Sequence, residues 1–349
     1  MGQQQSSFVV EIASPRYGKF QSLPQKDPDE EASQQWRITV NPASEFAATE
    51  QLKALINRLY HSQKLLCPAD ARQILTALNY LDVTQDLLLP LLTVVSNSTA
   101  FAANQILLRE SGVVARVVEL FCDKDHDWPK SCRIMLLQCI ANMAVDVTNE
   151  PILKRGIGAI VRRMDSSVDL ECVVALQALT NLSLNISPTH ITTFLPAIPH
   201  CMNKLWVKGE VNLHSLRLLV NLSCCPDIVP HILASKAVTG LLSILDTDKE
   251  DVLLRAVTWL LCMSCAVETL GIDYNQIAPL NQDPFGNTNF TLYHALYGMK
   301  GKPELENKIR ELTECKNAEI ANKSVRLLDI LRQITPMRTS SASLSRLVS

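Results

Sequence analysis

IANMAV (140–145), LTNLSL (179–184), LVNLSC (219–224) and TWLLCM (258–263) are four versions of one apolar, helix-favouring stretch. With Asn142, Asn181, Asn221 and Trp259 taken as equivalents, the steps are 39, 40 and 38 residues. A fifth version, VVSNST around Asn97, lies 45 residues before Asn142. An apolar signal that returns every 40 residues or so marks an α-helical solenoid, in which each repeat buries its apolar face only against its neighbours. Such a chain acts through an elongated surface, which turns the question from a reaction to a partner.

Composition agrees. Hydrophobic residues make up 47% of the 349, which is ample for a core, while aromatics at 5% and only 11 glycines disfavour an all-β chain. Lys and Arg number 33 against 35 Asp and Glu, a net charge of -2. A phosphate-binding surface needs a basic excess, so no nucleic-acid partner is expected. No uninterrupted apolar run reaches the roughly 18–20 residues of a membrane span. The first residues lack the charged and apolar regions of a secretory signal. Eleven cysteines, an odd number scattered through helical stretches, fit reduced thiols in the cytoplasm better than a disulfide framework. The sequons at Asn181 and Asn221 fall inside apolar helices, where a glycan has no room.

Three regions follow. Residues 1–45 are rich in Gln, Ser, Pro and charge, and Pro15, Pro24, Pro28 and Pro42 interrupt any helix, so a disordered tail is expected. Residues 46–335 form the repeat domain, and 336–349 a second disordered tail. Inside the domain, helices are predicted at 50–60, 68–81, 87–96, 101–110, 113–122 and 131–145. Others follow at 151–155, 157–164, 170–184, 189–207 and 211–223. The last group covers 227–234, 237–246, 250–265, 291–297, 304–312 and 318–334. A long loop is placed at 270–289. Ser111-Gly112 is a helix stop. Short, medium and long helices in turn make the armadillo unit, so the expected fold is all-α, a right-handed armadillo-type solenoid of about five to six repeats. The long third helices should line the concave face, with the Asn residues running along it.

The runs AFAANQILLRESG (100–112), NMAVDVTNE (142–150) and RLLVNLSCCPDIVPHILAS (217–235) resemble a particular armadillo-repeat domain. It is shared by the X-linked armadillo-repeat-containing proteins, their autosomal relative and the G-protein-coupled-receptor-associated sorting proteins. TLYHALYG (291–298) and KIRELTECKNAEIANK (308–323) fit the end of that domain. The resemblance spans roughly 50–335 and implies a non-enzymatic adaptor. Several relatives sit on the mitochondrial outer membrane and are linked to mitochondrial distribution and motor adaptors. That placement rests on an N-terminal transmembrane anchor, and residues 1–45 hold no such segment.

Candidate sites are few. Met1-Gly2-Gln3-Gln4-Gln5-Ser6 matches the N-myristoylation pattern, which needs an unhindered α-amine at Gly2 and favours a small hydroxyl at Ser6. One myristoyl chain gives only weak, reversible membrane contact, and no nearby Cys and few basic residues supply a second signal. The alternative is an ordinary soluble tail. Asn97, Asn142, Asn181 and Asn221 are the candidate partner-binding residues. In peptide-binding armadillo proteins the corresponding Asn bonds the backbone of an extended ligand, which an amide suits because it donates and accepts at once. The alternative is an Asn that caps or bridges adjacent helices. Nuclear-import receptors place a Trp one turn before this Asn; Gln138, Gln177 and Arg217 stand there instead, which disfavours basic import signals. Cys262-x-x-Cys265 and Cys224-Cys225 lack the further ligands of a zinc site and are expected to be buried helix cysteines. Arg338-x-x-Ser341 resembles a basophilic kinase site, a common match. No catalytic, metal, cofactor or small-molecule site is expected. The expected role is a cytoplasmic scaffold with a peripheral membrane pool, its groove taking an extended peptide or a helix from a protein partner. The alternatives are a mitochondrial-positioning or trafficking adaptor, as in relatives with placement on the mitochondrial outer surface, and last an enzyme.

Overall fold

A computed structural model describes residues 42–62, 65–124, 127–207, 209–281 and 290–337. Gly2, Ser341 and nearly all of both expected tails lie outside the described residues. The chain divides into two units, Met1–Ala47 and Ala48–Ser349. The second is a stack of helical repeats.

The first helix, α1 (Pro42–Ser62), corrects the expected tail boundary. Pro42 does not interrupt a helix; it begins one, where its fixed φ suits the first turn and its missing N–H is no loss. Next come α2 (Pro68–Asn79) and α3 (Leu81–Ser98), then α4 (Ala102–Glu110), α5 (Val113–Cys122) and α6 (Lys130–Met143). α3 begins six residues earlier than its apolar run suggests and carries Pro90 within it. The third group holds α7 (Glu150–Leu153), α8 (Ile157–Arg163) and α9 (Asp169–Leu182), with 3-10 turns on either side of α7. The fourth holds α10 (Ile191–Phe194), α11 (Ala197–Asn203) and α12 (Leu213–Ser223). The fifth pairs α13 (Val229–Ala234) with α14 (Glu250–Leu270) through a 3-10 turn at Leu241–Leu245. After α15 (Tyr274–Ile277), the array ends in α16 (Leu292–Tyr297), α17 (Gly301–Leu312) and α18 (Ala318–Gln333).

Local chemistry sets these bounds. Gly112, at φ 88°, turns the chain between α4 and α5 in a left-handed conformation that only glycine adopts freely. Asn212 and Asn317 cap α12 and α18 by accepting from the backbone N–H groups of His214 and Ser215, and of Glu319 and Ile320.

Two expected helices are not continuous. The segment 189–207 is broken into a 3-10 turn, α10 and α11, with Pro196 between the last two. It then ends in a strand. That strand, β1 (Trp206–Val207), pairs antiparallel with β2 (Glu210–Val211), Trp206 opposite Val211. Gly209, at φ 84°, makes the turn. The segment 237–246 forms only the 3-10 turn. The helix expected at 250–265 is longer, since α14 continues to Leu270 and stops at Gly271, left-handed at φ 62°, and the expected loop holds α15 and a 3-10 turn at Ala278–Leu280.

Six long helices, α3, α6, α9, α12, α14 and α18, pack in that order among the described residues. We refer to them as ladder helices. One buried apolar cluster runs from Leu52 to Ile334 without a break. α14 is long and apolar enough to cross a membrane by composition, but here Val257, Trp259, Leu260 and Met263 are buried between its neighbours α12 and α18.

The repeat spacing becomes bonds. Leu66 N donates to Asn104 Oδ1 at 2.8 Å and Arg116 Nε to Leu78 O at 3.1 Å, each across 38 residues. Glu171, fully buried on α9, accepts from Arg133 Nε of α6 at 3.1 Å and from Ser166 Oγ at 2.6 Å, with Arg163 Nε at 3.6 Å.

Candidate functional site

The packing that builds the stack leaves one stripe of each ladder helix towards solvent. On α6, Leu136, Leu137, Cys139, Ile140 and Ala141 are buried, while Gln138 and Asn142, one helical turn apart, are half-buried. On α9 the half-buried pair is Gln177 and Asn181, and on α12 it is Arg217 and Asn221. α14 presents Arg255, Thr258 and Cys262 instead. Equal spacing therefore aligns Gln138, Gln177, Arg217 and Arg255 in one row. The Asn residues form a second row, one turn further along.

The Asn row is engaged within the protein. Asn142 Nδ2 donates to Ser96 Oγ at 2.9 Å and to Ser96 O at 3.3 Å. Asn181 Nδ2 donates to Ala141 O at 2.9 Å, and Asn221 Nδ2 to Thr180 O at 2.9 Å and Ser183 Oγ at 3.2 Å. Each amide thus reaches back to the ladder helix of the preceding repeat. The carbonyl it meets belongs to the residue before the preceding Asn. Asn142 Oδ1 also accepts from Gln138 Nε2 at 2.8 Å, across one turn of α6. Among the described residues Asn181 keeps its amide oxygen and one N–H unengaged, while Asn221, whose amide nitrogen donates twice, keeps its oxygen. Asn97 keeps the register, since Ser96 before it is the acceptor, but its own side chain is exposed.

Trp259 departs from the pattern. The sequence period makes it an equivalent of Asn221, yet it is fully buried. Thr258 and Cys262 take the solvent side of α14. Thr258 Oγ1 accepts from Lys323 Nζ of α18 at 2.9 Å, so the rung is closed by another pair.

The electrostatics change along the stripe. α6 and α9 offer neutral amides and apolar side chains such as Met135 and Val173. α12 and α14 offer Arg217 and Arg255. Burial lowers the Arg255 guanidinium from its ordinary value, and the Arg217 charge lowers it further, while Asp251 and Glu319 act the other way. Burial, aided by Arg217, also holds His214 below the usual histidine value, so it is neutral near pH 7. Arg217 Nε is shielded from solvent without a hydrogen-bond partner among the described residues. Lys323, which also pairs with Glu319 at 2.9 Å, extends the basic character onto α18.

The cysteine expectation needs correction. Cys224 is exposed, and Cys225, Cys262 and Cys265 are half-buried rather than buried. Cys224 follows the last residue of α12 and so lies beyond the packed turn. The sequence missed Arg255 and Thr258 as members of the stripe because their role depends on which face of α14 turns inward. The only signal was the 38-residue step from Arg217 to Arg255.

The family model described as armadillo-like matches residues 68–270, more than half of the chain. Among solved structures, a designed armadillo repeat protein is similar at 17% identity and a TM-score of 0.55, covering 74% of this chain and 99% of that one. Another, in complex with the peptide (KR)4, is similar at 17% identity and a TM-score of 0.53, with 74% and 98% covered. A computationally designed armadillo protein for modular peptide recognition gives 16% and 0.54, again with 74% and 98% covered. At these identities the likeness is one of fold.

Proposed function

Because the chain belongs to the armadillo-like family, we propose that it is a non-enzymatic interaction scaffold that holds an extended segment of a protein partner along the stripe of its ladder helices. The row Gln138, Gln177, Arg217 and Arg255 carries this reading. It repeats one side chain per rung beside amides that retain hydrogen-bonding capacity, the arrangement an extended backbone can follow.

The charge along the row narrows the partner. The designed relative noted above was solved with a basic peptide, (KR)4. Here two guanidiniums stand where such a ligand would pass α12 and α14. These positive charges repel basic segments and attract carboxylates, which favours a partner acidic at that end and uncharged over α6 and α9.

The finer family placement, beside the X-linked armadillo-repeat-containing and receptor-associated sorting proteins, rests on the sequence runs at 100–112, 142–150 and 217–235. With it comes a second role as a trafficking or mitochondrial-positioning adaptor. The Met1–Ser6 pattern supports acylation of Gly2 and a reversible membrane pool beside a cytoplasmic one.

The test is fluorescence anisotropy of the full chain with extended peptides that differ only in carrying acidic or basic residues at one end. The acidic peptide should bind more tightly, with an affinity that falls as salt rises. Arg217→Glu with Arg255→Glu should weaken it by roughly tenfold or more. Equal binding of both peptides, untouched by the double substitution, would remove the acidic partner.

A further inference from the structure

Cys224 and Cys262 lie on successive rungs, 38 residues apart in sequence, with their sulfurs 4.0 Å from one another. Cys224 sits at the end of α12 and is exposed; Cys262 lies within α14 and is half-buried. Their sequence neighbours behave differently, since Cys225 and Cys265 pack against the apolar core. Cys132, Cys139, Cys172 and Cys201 are buried outright.

We propose that Cys224 and Cys262 form a peroxide-reactive dithiol, a modification site at which a disulfide joins the ladder helices of two successive repeats. The sulfurs must close by about 2 Å to reach bonding distance, and Cys224, outside the packed turns, is the side chain free to turn. Cys224 is the attacking sulfur. Either thiol can donate across this contact; with Cys262 as the donor the Cys224 thiolate is favoured, so its pKa is lowered and that of Cys262 raised. Burial pushes Cys139 up to about 12 and Cys201 higher still, so neither offers a thiolate.

The chemistry balances with one hydrogen peroxide per disulfide. The Cys224 thiolate attacks one peroxide oxygen; an S–O bond forms, the O–O bond breaks, and the departing hydroxide takes a proton to become water. Sulfur is oxidised to the sulfenic acid and the peroxide is reduced. The Cys262 sulfur then attacks the Cys224 sulfur. The S–S bond forms, the S–O bond breaks, and hydroxide leaves with the Cys262 proton as a second water. A low-molecular-weight thiol reverses the change. The resulting bridge would fix the spacing of α12 and α14, and with it the spacing of Arg217 and Arg255. The bridge itself does not depend on what the groove binds.

The full chain, treated with equimolar hydrogen peroxide and then alkylated, tests this by peptide mapping. Wild type should lose ~2 Da on forming the bond and yield a cross-linked peptide that dithiothreitol separates. Fragment spectra must place the bond on Cys224 and Cys262, because the same tryptic peptides also carry Cys225 and Cys265. Cys262→Ser should instead accumulate a dimedone adduct on Cys224, and Cys224→Ser should give neither cross-link nor adduct. Cys224 and Cys262 both fully alkylated after peroxide, or a bond through Cys225 or Cys265, would overturn the proposal.

Discussion

Asn221 Nδ2 donates to the carbonyl oxygen of Thr180 at 2.9 Å, joining the ladder helices of two repeats across 41 residues of sequence. Asn181 does the same to Ala141 across 40. These amides hold the stack together whatever else they do. Asn181→Ala and Asn221→Ala should each lower stability by about 0.5–1.5 kcal/mol, the net worth of one such bond. Urea unfolding followed by circular dichroism measures it. A double variant as stable as wild type would show that the rungs do not need the bonds.

Glu171 should make stability depend on acid pH. Burial pushes its carboxyl up, but the hydrogen bonds from Arg133 and Ser166 and the charges of Arg133 and Arg163 outweigh this, and the net displacement is downward. Its stabilisation is therefore complete above the ordinary glutamate value of about 4.3 and is lost as pH falls through the lowered one. Urea midpoints across that interval should fall more steeply for wild type than for Glu171→Gln. At neutral pH, Glu171→Ala should cost about 3–5 kcal/mol, because among the described residues it leaves the Arg133 guanidinium only the Trp128 carbonyl and the exposed Asp127 carboxylate at 3.7 Å.

Gly301→Ala should damage the last repeat. A Cβ there would run into the backbone carbonyl of Ala295, which has no flexible end to give way. Relieving that overlap requires a backbone shift at the junction of α16 and α17, a cost of about 1–3 kcal/mol or more. Hydrogen exchange should show the loss concentrated in α16–α18, since each repeat leans only on its neighbours. Uniform exchange across the array would contradict that.

Intact mass of the protein from eukaryotic cells decides the fate of Gly2. The expected species has lost Met1 and gained one myristoyl group, and Gly2→Ala should lack it and shift towards the soluble fraction. Loss of Met1 without the acyl mass would end the proposal.

The repeat period carries most of the fold in plain view. α5 appears at its expected bounds, Val113–Cys122, because Gly112 fixes its start by backbone conformation alone. The stretch 189–207 was legible as apolar but not as broken. Pro196 and Gly209 act through local turns that an average over several residues conceals. The Asn row was legible as a row. Its geometry was not, because an amide offers the same groups to a ligand as to a neighbouring carbonyl. Trp259 shows the limit of spacing: the interval is right, yet its side chain is fully buried where Asn221 is half-buried. The Cys224–Cys262 pair could have been found, since two cysteines one period apart fall on adjacent rungs.

The bonds of the Asn row all point the same way along the chain, from donor in the later repeat to acceptor in the earlier one. Synthesis runs in the opposite sense. A nascent chain therefore displays bare carbonyls first, which water serves readily, and each newly emerged ladder helix arrives with the N–H that closes the previous rung. Along this row the growing end presents no amide donor waiting for a partner not yet made.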